Sequence, residues 1–132
     1  MVVFLPHFFP IKLAKAEILL YNTRMKIALF GGSFDPVHIE HTRYAQAAKD
    51  ALHLDKLIVL PAGIAPHKAW GAFASGEDRL AMCRLAFSDF PWAEVSDFEV
   101  LEQGKSYSYL TCRHFADLYP NDELYFLVGE DM

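Results

Sequence analysis

Two histidines, His38 and His41, stand three residues apart just downstream of a paired glycine, Gly31-Gly32. Residues at i and i+3 of a helix start share one face, so both imidazoles can point at one ligand. An imidazole donates a hydrogen bond when neutral and carries charge when protonated, which suits an anion. The glycines point to the same chemistry. Without side chains, Gly31-Gly32 lets backbone N–H groups approach an anion closely, and a helix N-terminus beyond them favours negative charge. The intervening Ser33-Phe34-Asp35-Pro36 reads as a turn. Asp35 has the side chain of a catalytic base, but before proline it reads as the residue that fixes the turn by accepting nearby N–H groups. The stretch is neither a Walker A loop, which needs Gly-Lys-Ser/Thr, nor the GxGxxG dinucleotide fingerprint.

The elements that must position these groups alternate. A strand-length apolar run, Ile27 to Phe30, precedes the glycines. A helix is expected from about Val37 to His53, with Ala45, Ala48 and Leu52 at core spacing. Leu57 to Leu60 is a continuous apolar run, as a buried parallel strand shows, and Pro61 stops it. A loop to about Ser75 carries Ala65-Pro66-His67-Lys68. A second helix is expected from Gly76 to Phe87, with Leu80, Cys83 and Phe87 inward and Met82 and Leu85 also in the core. Glu94 to Val100 alternates partly and reads as a strand. After the turn at Gln103-Gly104-Lys105, a third helix is expected, capped by Ser106 and running to Leu118 with Leu110, His114 and Leu118 on its stripe. Leu124 to Val128 reads as the last strand before Gly129-Glu130-Asp131-Met132. This alternation implies an α/β fold, a Rossmann-like mostly parallel sheet with flanking crossover helices.

Composition narrows the function. The chain has 132 residues, 53% of them hydrophobic and 22% charged, enough for one globular domain with a modest core. Its net charge of -5 argues against a nucleic-acid binder, whereas a nucleotide needs only a few local donors. Cys83 and Cys112 lack CxxC spacing and read as free thiols of a reducing, cytoplasmic compartment. Residues 1–24 differ from the rest. Pro6 and Pro10 break their apolar run, and charges follow it, so neither a membrane span nor a signal peptide is expected. Met25 directly precedes the first strand. The expected organisation is therefore an extension, 1–24, outside the core and a domain from 25 to 132, with Met25 as the true start. A zinc reading of His38, His41 and His67 lacks a cysteine or a well-spaced carboxylate beyond Asp35 and Glu40, so no metal site is expected.

Lys26 to His41 resembles the HxGH-motif nucleotidylyltransferases, and within them nicotinate-nucleotide adenylyltransferase. Gly31-Gly32-Ser33-Phe34-Asp35-Pro36-Val37-His38 and His41 carry the resemblance. Glu40 departs from it, since the family usually has glycine there. Ala65-Pro66-His67-Lys68 is similar to the family's Pro-Pro-His-Lys, Arg79 and Met82 to its Arg-x-x-Met/Leu, and Ser106-Tyr107-Ser108 to its Ser-Tyr-Thr. Pantetheine-phosphate adenylyltransferases typically have threonine at the position of His38, and cytidylyltransferases lack the His-Lys and Ser-Tyr-Thr-like segments. The resemblance implies adenylyl transfer from ATP to nicotinate mononucleotide with Mg²⁺, giving deamido-NAD and pyrophosphate. It implies His38 and His41 as catalytic residues, with Gly31, Gly32, Ser33, Phe34, Gly129 and Asp131 on ATP. Lys68, Ser106, Tyr107 and Ser108 would hold the mononucleotide. It also implies a continuation with a further phosphate-binding motif, so this chain is expected to be C-terminally truncated, of low activity, and prone to self-association.

Overall fold

The computed structural model describes residues 8–10, 24–63, 74–102 and 108–127. Its elements are β1 (Phe8–Pro10), β2 (Lys26–Gly32), α1 (Ile39–Leu52), β3 (Lys56–Pro61), α2 (Gly76–Ala86), β4 (Ala93–Val95), α3 (Phe98–Leu101), α4 (Ser108–Leu118) and β5 (Glu123–Leu127). The strands form one sheet in the order β1-β5-β2-β3-β4. Strands β5, β2, β3 and β4 are parallel to their neighbours, and β1 joins β5 antiparallel. The expected α/β, mostly parallel sheet with flanking helices is the fold. Of the segment 1–24, residues 8–10 lie along the edge of this sheet and Arg24 bonds Glu123 at 3.4 Å.

The central strand β2 is apolar on both sides because both sides are covered. Ala28 and Phe30 join Leu57, Val59, Tyr125 and Leu127 under Tyr44, Ala45 and Ala48 of α1 and Cys83 of α2. Ile27 and Leu29 join Ile58, Leu60 and Leu124 under Phe115 of α4. Period-two alternation along the strand sends successive side chains to opposite layers. Ala45 and Ala48 are fully buried, and their small size lets α1 approach the sheet closely.

The strand order creates the site. From β2 the chain moves outward through α1 to β3 and through α2 to β4, then returns to place β5 on the other side of β2. The direction of winding therefore reverses between β2 and β5. In open parallel sheets, ligands bind beyond the strand C-termini at such a reversal. The C-terminal end of β2 is Gly31-Gly32.

Several expectations are corrected. Of the expected 94–100 strand only Glu94 and Val95 are extended, as the end of β4. The Ser96 hydroxyl accepts the Phe98 N–H at 3.2 Å, a local turn that diverts the chain into α3. Strand β3 includes Pro61, paired opposite Gly32, instead of stopping before it. In α2, Leu85 is 76% exposed, because the face set by Leu80, Cys83 and Phe87 lies away from it. In α4 the buried residues are Thr111 and Phe115, while Leu110 and Leu118 are exposed. The helix is turned by about one position from the expected stripe, since the Phe115 ring fills the layer over Ile58 and Leu60. His114 stands at the edge of that layer and stacks on Phe98, with ring centroids 3.9 Å apart.

Candidate anion-binding site

The site grows from the end of β2. Gly32 still belongs to the ladder, and its carbonyl accepts the Ala62 N–H at 2.8 Å. A trans peptide aims its carbonyl and N–H in opposite directions. The Ser33 N–H therefore points away from β3, toward the β5 side where the winding reverses. Among the described residues, no acceptor takes the N–H of Ser33 or of Phe34. A Cβ added to Gly32 would stand 3.3 Å from the Phe34 ring, whereas one added to Gly31 would meet nothing nearer than 3.9 Å. The ring over Gly32 thus leaves little room for a side chain.

Phe34 itself has φ 49°, in the left-handed region that disfavours a residue with a Cβ. Its ring is held by burial, lying edge-on to Phe30 at 5.2 Å and against His41 at 4.7 Å. Asp35 bonds to the backbone as expected, but across the fold, accepting the Ala74 N–H at 3.1 Å from 39 residues away.

Helix α1 opens with His38 at its N-cap. The rings of His38 and His41 stack with centroids 3.9 Å apart. The His38 N–H donates to Nδ1 of His41 at 3.0 Å. An accepting Nδ1 places the proton of a neutral His41 on Nε2, so this ring is a donor without needing charge. The backbone bond also fixes the ring's orientation, as partners behind a functional histidine commonly do. Glu40, which replaces the usual glycine, turns outward. It is exposed and pairs with Arg43 at 2.8 Å.

Arg79 is the residue whose place sequence reasoning missed. It stands in the first turns of an otherwise surface-lying helix start, yet it is only 1% exposed. Its guanidinium donates to the carbonyls of Ser33 at 3.0 Å, Ala62 at 2.5 Å, Gly63 at 3.0 Å and Ala74 at 3.1 Å. One rigid fork of donors thus joins the glycine turn to the end of β3 and the start of α2. Only the Arg-x-x-Met resemblance marked this position, since nothing in the spacing of Glu77-Asp78-Arg79 distinguishes a buried arginine from a solvated one.

The structure brings Gly31, Gly32, Ser33, Phe34, His38 and His41 together. Ser108 opens α4 on the opposite layer and is exposed. Lys68, Ser106, Tyr107, Gly129 and Asp131 lie outside the described residues, as does His67. The buried Glu99 accepts the Thr111 hydroxyl at 2.6 Å and ties α3 to α4. Burial pushes the Cys83 thiol up to about 12. Burial, with Glu99 second, also raises Cys112. Among the described residues, no group of three or more His, Cys, Asp and Glu could hold a metal ion, and no helix is long and apolar enough to cross a membrane.

Known proteins are similar to this chain. A "Probable nicotinate-nucleotide adenylyltransferase" of Citrifermentans bemidjiense is 42% identical over 107 residues, 81% of this chain and 50% of that protein. One of Enterococcus faecalis is 37% identical over 120 residues, 91% of this chain and 55% of that protein. The chain spans about half the length of the curated relatives it matches. The solved Plasmodium falciparum nicotinic acid mononucleotide adenylyltransferase, complexed with NaAD, aligns with a TM-score of 0.64 at 17% identity, over 76% of this chain and 50% of that one. That likeness establishes the shared fold. The cytidylyltransferase-like family model matches residues 29–132, so the chain belongs to the cytidylyltransferase-like family.

Proposed function

We propose that this chain serves adenylyl transfer from ATP to nicotinate mononucleotide, giving deamido-NAD and pyrophosphate in the cytoplasm. The observation that carries the reading is the bare glycine turn and imidazole pair at the winding reversal, in a chain about 40% identical to relatives with that name. An oxygen of the mononucleotide 5′-phosphate attacks the α-phosphorus of ATP. The bond from that phosphorus to the bridging oxygen breaks, and pyrophosphate leaves with the electron pair. The attacking phosphate already carries charge, so no protein nucleophile is required, and the residues serve to position and to cancel charge. His41 donates through Nε2 and His38 from the helix start. The N–H groups of Ser33 and Phe34 complete the donor set, whereas that of Gly32 faces β3 within the ladder. Lys68 with Ser106, Tyr107 and Ser108 holds the mononucleotide, on the strength of the resemblance. The donors at the turn suit phosphate oxygens rather than a bare cation, and the Asp35 carboxylate is engaged by Ala74. Mg²⁺ accordingly fits as the partner of the ATP phosphates, whose charge it offsets.

The test is calorimetric titration of the chain with Mg·ATP and, separately, nicotinate mononucleotide, with CTP as competitor. Binding of both, weakened at least tenfold in His41→Ala, supports the reading. Tighter binding of CTP than of ATP by the folded chain overturns it.

A further inference from the structure

Arg79 is a buried cation that the proposed chemistry does not use. Its most telling partner is Ser33. The Ser33 carbonyl and the Phe34 N–H belong to one planar peptide and point in opposite directions. With that carbonyl held at 3.0 Å by the guanidinium, the Phe34 N–H faces away from Arg79. This orientation is the strained one. A half-turn of the peptide would take φ of Phe34 from 49° to about −131°, back to the negative side that L residues favour. The same half-turn would swing the Ser33 carbonyl to where the N–H now points and set an acceptor against an anion. Phe34 is therefore left-handed because something holds the preceding carbonyl, and Arg79 is the donor that holds it.

We propose that Arg79 is a positioning residue that locks the Ser33–Phe34 peptide with its carbonyl inward and its N–H presented to the anion. The three other carbonyls it binds give the lock its rigidity. Ala62 and Gly63 follow β3, and Ala74 precedes α2, so the guanidinium cannot move with the turn without abandoning the scaffold. Charge alone would not suffice. A lysine ammonium has no planar fork and cannot span these carbonyls together. The inference rests on the proposed nucleotide site, because the anion is taken to be a phosphate of ATP.

The test is an amide NMR titration of the full chain, isotope-labelled in phenylalanine, with Mg·ATP, on the wild type and on Arg79→Lys. In the wild type the Phe34 amide proton should move downfield as ATP saturates. In Arg79→Lys the Phe34 Cα and Cβ shifts should pass from left-handed to extended values and its amide should no longer respond. ATP affinity should fall about 10–100-fold, the loss of one hydrogen bond to a charged group. A silent Phe34 amide in a wild type whose other resonances titrate would overturn the proposal. So would a folded Arg79→Lys protein that keeps the wild-type Phe34 shifts and affinity. If Arg79→Lys does not fold, the wild-type titration decides. If no wild-type resonance responds to ATP, the proposed function fails, and the Phe34 shifts in Arg79→Lys still decide whether the arginine sets the peptide.

Discussion

Gly76→Ala sets two effects of opposite sign against each other. Gly76 is the first residue of α2, after the Ser75 cap whose hydroxyl accepts the Asp78 N–H at 3.0 Å. On helix propensity alone, alanine should stabilise by up to about 1 kcal/mol. The new Cβ, however, would stand 2.6 Å from Val100 Cγ1 and 3.4 Å from Cγ2. The first distance is far inside van der Waals contact. Val100 sits in the short helix α3, where a β-branched side chain has essentially one comfortable rotamer, so the methyl cannot swing aside cheaply. Overpacking of this kind costs roughly 1–3 kcal/mol. The clash therefore wins, and the net expectation is a loss of about 1–2 kcal/mol. For a domain of this size that lowers Tm by roughly 3–8 °C. The variant should also weaken Mg·ATP binding, because the turn it displaces carries Arg79 and hence the Ser33 carbonyl. Urea denaturation and thermal melting give the stability, and calorimetry gives the affinity. A stabilised Gly76→Ala protein would refute the packing argument outright. A destabilised one with unchanged affinity would break the link from α2 to the turn.

Other consequences follow from named contacts. Thr111→Val removes the hydroxyl that donates to the buried Glu99 carboxylate, and urea unfolding should show a loss of about 1.5–3 kcal/mol; a change below about 0.5 kcal/mol would contradict the bond's role. Glu40→Gly should cost about 1 kcal/mol in melts through helix propensity and the exposed Arg43 pair, yet leave ATP affinity within about twofold, since the carboxylate faces outward. Cys83, with its thiol near 12 in the fold, should react with iodoacetamide at pH 8 only as fast as the chain opens. Because that value lies above the ordinary thiol range, the linked stability is intact below about pH 8.5 and declines as pH rises from there toward 12, which alkaline melts of wild type and Cys83→Ala can compare.

The strands were legible because burial on both faces writes a continuous apolar run, as in Ile27 to Phe30 and Leu57 to Leu60. Helix α1 was legible from its alanines, and the meeting of the glycine turn with His38 and His41 from a spacing that is local. The part of α4 that faces the sheet was not. Leu110, His114 and Leu118 satisfy helical periodicity as well as Thr111 and Phe115 do, and only contact with Ile58 and Leu60 decides between the two stripes. The 94–100 stretch misled for a related reason: alternation continues through Val100, but Ser96 offers the backbone a turn bond that ends the strand first.

By itself, then, the sequence determined the class of fold, the location of the glycine turn and the two imidazoles beside it as hydrogen-bond donors, since each depends on residues close together along the chain. The tertiary structure alone decided which way those donors face. His41 is oriented by a backbone N–H, Asp35 by an amide 39 residues away, and the Ser33–Phe34 peptide by an arginine 46 residues downstream of Ser33. Peptide orientation costs little to change locally, so it is set by whichever distant group fills the space behind it, and no pattern of neighbouring residues records that choice.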